Sequence, residues 1–406
     1  MPKKNDDFFK QKKDWSEVKD ELLGCYLTPY FAKILHTRKP ILYIDGFAGK
    51  GKFDDGKNGS PLIALECLDR ALNNYKGGHK LPKIAFKFIE LNHAAELCGN
   101  LSENQRRYSE VVVGKFQEKL MTVLRAAAIE NKNQNVFLYI DPYGVKALNT
   151  ALFDALPSVF NTAELLINLN TWGFIRMVLA IENIKFRENE IELFAELYEY
   201  DNSTANTVEE VNTIAGGDYW KDIVFRYKTG DIDGHQAEKE FAASYKLRLR
   251  EKYKYVLDMP IRLKASNHPK YRMVYATNHP EGCVIMAENI VARTAHLIIN
   301  IQNSGQFSMF EETADNQIIP QDELLQKTKD LLENTLEYTR LNEFLASFYN
   351  EYGVICQPSK IKKDALEILE KSDFIEVIRT PLHTKTGKLS AFWSEGKGNI
   401  IEIKKK

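Results

Sequence analysis

Short, nearly continuous apolar runs separated by stretches of helical period dominate the first three quarters of the chain. Ile41–Ile44, Ala85–Asn92 (AFKFIELN), Val136–Ile140 and Glu164–Asn170 (ELLINLN) read as strands buried on both faces, because they lack the polar alternation of a half-exposed sheet. Leu62–Leu72 has the spacing of a crossover helix between the first two, and Asp14–Leu35 reads as one or two amphipathic helices leading into the first strand. Tyr253–Leu263 and Tyr271–Asn278 flank the turn Lys264–Lys270 and predict an antiparallel hairpin. Strands alternating with helices predict a mostly parallel α/β sheet covered on both faces, with the hairpin closing it.

Between the fourth strand and the hairpin, Gly173–Arg250 carries helical periodicity, including Phe186–Tyr200 and Ala237–Glu251, and predicts an insertion that roofs a cleft. Met286–Gln302 is a long apolar helix expected to lie on the sheet edge, and Ser304–Gln321 turns polar like a linker. Beyond it, Asp322–Tyr338, Leu341–Tyr349 and Gln357–Lys371 read as helices, followed by strands at Phe374–Thr380 and Leu389–Trp393 joined across Thr384–Lys388. Helices followed by a small hairpin are the order of a winged helix-turn-helix. The expected domains are therefore 14–303, with the insertion at about 173–250, and 322–406.

Candidate chemistry sits at the strand ends. Tyr43–Phe53 (YIDGFAGKGKF) runs from a strand to Asp45 and into a turn holding Gly46, Gly49 and Gly51, where the main chain can approach a ligand closely. The order D-G-F-A-G-K-G resembles motif I of Rossmann-like S-adenosylmethionine (AdoMet) methyltransferases. AdoMet carries a sulfonium cation, so an acid at the strand tip suits it. Glu90 ends the second strand, where an acid commonly holds the ribose diol of an adenosine, although it lies about twice the usual twenty residues from the turn. A structural turn and a solvated strand end are the alternatives for these two features.

The third strand delivers Asp141 to its tip, followed by Pro142, Tyr143 and Gly144. Asp-Pro-Tyr-Gly resembles the (Asn/Asp)-Pro-Pro-(aromatic) motif of amino-group methyltransferases, in which the acid or amide and a following carbonyl accept hydrogen bonds from the target amine. That geometry suits an extruded nucleobase. Tyr143 replaces the second proline and Gly144 the aromatic, so a simple strand-ending turn competes with this reading.

Composition narrows the class. With 406 residues, 44% hydrophobic and 27% charged, the chain has enough apolar material for a large core and more than one domain. No apolar run reaches membrane-spanning length and the polar start is unlike a signal peptide, so a cytoplasmic protein is expected. Five scattered cysteines without a C-x-x-C indicate neither a zinc site nor a disulfide framework.

A net charge of −1 gives no general attraction to phosphate, so nucleic-acid binding needs a local basic face. The candidates are Lys246–Lys254 (KLRLREKYK) and Lys360, Lys362 and Lys363; such runs are more often solvated helix faces. From Gln321 to Lys406 there are 14 Lys/Arg and 14 Asp/Glu, so the second domain is not basic overall.

In their order, Tyr43–Phe53 with Gly59-Ser60-Pro61, Phe88–Asn92, Leu138–Gly144, Glu164–Asn170 and Tyr271–Gly282 (YRMVYATNHPEG) resemble the three-Cys-motif partner (TcmP) proteins of bacteria. The resemblance spans most of residues 14–400 and implies a methyltransferase-like fold working with a separate iron–sulfur-type protein bearing a three-cysteine motif. Under the methyltransferase reading, Asp45, Gly46, Phe47, Gly49, Gly51 and Glu90 are expected to hold AdoMet, and Asp141, Pro142 and Tyr143 to orient a target amine. Two functions stay open: an AdoMet-dependent methyltransferase acting on nucleic acid with that partner, and a non-catalytic recognition or assembly module, for instance in phage defence. Metal-dependent hydrolysis by converging Asp45, Glu90 and Asp141 ranks below both.

Overall fold

The computed structural model describes residues 9–76, 78, 80–142, 144–187, 190, 207–261, 269, 271–303, 319–335, 337–396 and 398–406. They form two compact units, Met1–Asn278 and His279–Lys406.

The first unit is built on a seven-stranded sheet. Helix α1 (Asp14–Ile34) precedes strand β1 (Ile41–Asp45), and α2 (Ser60–Asn73) leads to β2 (Ile84–Glu90). After α3 (Ala94–Asn100) come β3 (Ser109–Val113), α4 (Phe116–Glu130), β4 (Asn135–Ile140) and β5 (Thr162–Leu169). Helices α5 (Thr171–Ile181), α6 (Val208–Ala215), α7 (Trp220–Thr229) and α8 (Gly234–Arg250) lead to the hairpin β6 (Tyr255–Ile261) and β7 (Tyr271–Thr277). The sheet order is β3-β2-β1-β4-β5-β7-β6. The first five strands pair in parallel, and β7 pairs antiparallel with both β5 and β6. This is the topology of Rossmann-like AdoMet methyltransferases, as the strand pattern predicted.

The apolar runs form central strands because helices cover both faces. Every residue of β1, β4 and β5 is buried. On one face, α1 presents Val18, Leu22, Leu23, Tyr26, Leu27 and Phe31, all at most 5% exposed. Burial of each such Leu or Phe contributes about 1.5–3 kcal/mol, so a charge at Leu23 would break this layer. A polar contact fastens the same helix: Tyr26 and Tyr275 hydroxyls lie 2.5 and 2.8 Å from Glu164 Oε2 in mid-β5. Burial pushes the Glu164 carboxyl up to about 7. Arg272 of β7 bonds both oxygens of the fully buried Glu238 at 2.7 and 2.8 Å, tying α8 to the hairpin.

The second unit contains α9 (Pro280–Asn303), α10 (Gln321–Glu333), β8 (Thr339–Arg340) and α11 (Leu341–Tyr352). A further helical run follows, Pro358–Ile361, a π-helical turn Lys362–Leu366 and Glu367–Lys371, then β9 (Ile375–Thr380) and β10 (Ile400–Lys405). The antiparallel order β8-β10-β9, with α11 and the helical run lying between β8 and β9 in the chain, is a winged-helix arrangement.

Several expectations change. The second wing strand is Ile400–Lys405, not Leu389–Trp393: Ile401 and Ile403 are fully buried, whereas Leu389 is 70% exposed. Helix α9 packs on α11 of its own unit, where its apolar run had suggested the sheet edge. Strand β3 and helix α4 had no sequence prediction. The helix expected at 186–200, the turn at 264–270 and the linker at 304–321 lie largely outside the described residues.

Candidate functional site

The three acids predicted at strand ends do stand at the carboxyl ends of neighbouring strands, where ligands of open α/β sheets bind. Their surroundings differ. Asp45 is fully buried; its Oδ2 accepts from Ser60 Oγ at 2.6 Å and its Oδ1 from the Phe47 N–H at 3.1 Å. Burial pushes its carboxyl up to about 7. Asp45 therefore ties the start of the glycine turn to the N-terminus of α2. Glu90 ties its far side: Oε2 accepts from the Gly49 N–H at 2.8 Å, and Oε1 from the Asn92 and His93 N–H groups at 2.8 and 3.0 Å.

Within this turn Gly49 and Gly51 have φ of +60° and +75°, the left-handed region that favours glycine. Gly46 serves packing instead, since a Cβ there would lie 2.5 Å from the Phe116 ring.

Above the turn lies a cleft lined by Phe47, Gly49, Gly51, Asp141 and Pro142 among the predicted residues. Asp45, Gly46 and Glu90 support the turn but do not line the cleft, and Tyr143 lies outside the described residues. The remaining walls come from residues that carried no sequence prediction: Phe9, Ser16, Lys19 and Asp20 from the N-terminal segment, Asn168 from β5 and Tyr271 from β7. The roof is thus the N-terminal segment rather than the 173–250 insertion, from which no described residue lines the cleft.

Lys19 is the central addition. Its Nζ donates to both oxygens of Asp141 at 2.8 and 2.7 Å while its side chain is 7% exposed. Asn168 Nδ2 also donates to Asp141 Oδ1 at 2.7 Å. Lys19 and Asn168 could have been noticed, because each interrupts an apolar pattern, the buried stripe of α1 and the run ELLINLN of β5. Next to Lys19, Asp20 pairs with Lys12 at 2.5 Å, and its burial pushes its carboxyl up to about 6.

The N-terminal segment is strapped to the glycine turn. Asp54 N–H donates to Phe9 O at 2.8 Å, Lys12 N–H to Asp55 Oδ2 at 3.0 Å, and Lys12 Nζ to Asn58 O at 2.7 Å. The Phe9 ring stands 3.1 Å from where a Gly49 Cβ would be and meets His93 edge-on, with centroids 5.0 Å apart.

The backbone fits AdoMet in having a side-chain-free turn at Gly49, and two acid–ammonium pairs stand beside it, Asp20 with Lys12 and Asp141 with Lys19. Free volume fits less well. The cavity is about 90 Å³, below the roughly 300 Å³ at which small-molecule sites begin, and Phe9 stands where more room would open.

The predicted nucleic-acid residues lie in the second unit and differ among themselves. Lys360 faces Asp364 at 3.8 Å, Lys362 is half-buried with its ammonium pushed down by burial, and Lys363 is exposed. Among the described residues no helix is long and apolar enough to cross a membrane.

Sheet order and strand-tip site together define a methyltransferase-like fold of the AdoMet-binding type. In comparisons with known proteins, no family model and no curated protein matches the chain.

Proposed function

We propose that this protein is an AdoMet-dependent methyltransferase acting on nucleic acid. The observation that carries the reading is the meeting of the glycine turn and the Asp141-Pro142 tip in one cleft at the carboxyl ends of β1 and β4. Gly49, Gly51 and the main chain around Phe47 would hold the methionine end of AdoMet, and Glu90, once released from its backbone donors, the ribose. AdoMet supplies an already activated methyl group, so the protein's task is chiefly alignment. Asp141 and Pro142 border the target side, with Tyr143 following them in sequence. The TcmP-like motif order supports a three-cysteine iron–sulfur-type partner, and the winged unit, with Lys360, Lys362 and Lys363, would contribute to nucleic-acid contact.

One observation favours the second reading, a recognition or assembly module in phage defence: both Asp141 oxygens are already engaged by Lys19. A labelled-methyl assay on DNA and RNA, with and without the partner, separates the two. The enzyme reading expects transfer by wild type and a loss of about 100-fold in Asp141→Ala, from misplacing the attacking amine. No transfer by wild type under any condition contradicts it.

A further inference from the structure

Among the described residues, two buried side-chain atoms of cleft-lining residues lack hydrogen-bond partners, Asn168 Oδ1 and Ser16 Oγ. Asn168 is 2% exposed, and a buried acceptor without a donor is destabilising, so its persistence calls for a function. The amide's orientation is fixed by chemistry. Asp141 as a carboxylate can only accept, so the Asn168 amide must present its NH2 to Asp141 Oδ1, at 2.7 Å, and its carbonyl elsewhere. Asp141 itself is occupied: Lys19 donates to both oxygens, and the Tyr139 hydroxyl approaches Oδ2 at 3.4 Å.

The sheet assigns this orphan to one side of the cleft. Ile140 of β4 pairs with Ile167 of β5, so Asp141 and Asn168 are the next positions beyond that register. Strand β5 lies across β4 from β1 and β2, which carry the glycine turn and Glu90. Asn168 therefore stands on the side away from the proposed cofactor groups.

We propose that Asn168 Oδ1 is the acceptor for an N–H of the methyl-accepting group, and that Asp141, held by Lys19, is a positioning residue that sets the amide's direction. This rests on the methyltransferase reading above and narrows its substrate to a nucleobase exocyclic amine. A ring nitrogen with only a lone pair, such as adenine N1, has no hydrogen to offer this oxygen.

The test is binding to the full chain saturated with S-adenosylhomocysteine. The probes are a mixed-sequence single-stranded DNA and the same strand with its adenine N6, cytosine N4 and guanine N2 amines dimethylated. Wild type should bind the dimethylated strand at least about tenfold more weakly, the size expected for one lost hydrogen bond to a buried acceptor. Asn168→Leu, which keeps the volume but has no acceptor, should bind both strands alike. Its S-adenosylhomocysteine affinity should stay within about threefold of wild type, which also shows that it folds. Asn168→Ala, which also lacks an acceptor, provides a smaller alternative if the leucine variant misfolds, and should likewise lose the discrimination.

Equal binding of the two strands by wild type, or discrimination kept in either folded variant, overturns the assignment. A tenfold loss of S-adenosylhomocysteine affinity in a folded variant would move Asn168 to the cofactor site and overturn it as well. Failure of the methyltransferase reading has a separate signature: wild type then binds neither AdoMet nor its product.

Discussion

The ammonium of Lys19 lies 2.7 and 2.8 Å from the two oxygens of Asp141, joining residues 122 positions apart in the chain. The pair links the first helix to the tip of the fourth strand, and both residues line the cleft. Its partners are 7% and 25% exposed, so it is more than a surface ion pair but Asp141 keeps some access to water.

This pairing predicts non-additive stability. Lys19→Met leaves Asp141 without its cation and should cost about 1–3 kcal/mol in denaturant unfolding of the whole chain. Lys19→Met combined with Asp141→Asn removes both charges and should cost clearly less than the two single losses summed. Additive losses would mean that the two residues do not interact as the geometry indicates.

Glu90 bonds the backbone of the glycine turn, and under the methyltransferase reading it leaves those donors to accept from the ribose of AdoMet. Glu90→Ala should weaken AdoMet binding by about 1.5–3 kcal/mol, roughly ten- to a hundredfold in Kd. Gly49→Val should be more damaging, since it combines a strained φ with a clash against Phe9. Calorimetry on folded variants decides: an unchanged Kd in either removes that residue from the cofactor site.

Phe9 stands beside the glycine turn where a ligand needs room. If AdoMet entry requires its displacement, the apparent affinity is reduced by the fraction of closed molecules. Phe9→Ala should then tighten AdoMet binding by about threefold or more. A weaker Kd would instead make Phe9 part of the bound ligand's surroundings.

Glu164 predicts a pH dependence. Burial raises its folded carboxyl from 4.5 to about 7, with only the hydroxyls of Tyr26 and Tyr275 bonded to it. The folded state holds a proton that the unfolded state releases, so the stability contribution is full below pH 4.5 and is lost as pH rises to about 7. The contribution is on the order of 3 kcal/mol. Asp45, also raised to about 7, and Asp20, raised to about 6, act in the same direction. Glu164→Gln should flatten the fall in unfolding free energy between pH 5 and 7; an unchanged slope would show that Glu164 does not titrate there.

Much of this fold was legible because β1, β4 and β5 are buried on both faces, and such strands write themselves as apolar runs. Strand β3 was missed for the converse reason: it is short, and its residues alternate between half-buried and exposed. The wing strand was misplaced because Leu389 mimics a core residue while lying exposed. In the site, local spacing led to the glycine turn and Asp141. Lys19 and Asn168 left only a break in an apolar pattern, because their roles come from tertiary neighbours 122 and 27 residues away.

The central claim is that this cleft binds AdoMet, and titration calorimetry of AdoMet and S-adenosylhomocysteine into the purified full chain tests it most directly. The account predicts saturable one-to-one binding in the micromolar range, weakened at least about tenfold by Glu90→Ala. An absence of binding by either ligand to folded wild-type protein would contradict it and leave the methyltransferase-like fold as a scaffold for recognition.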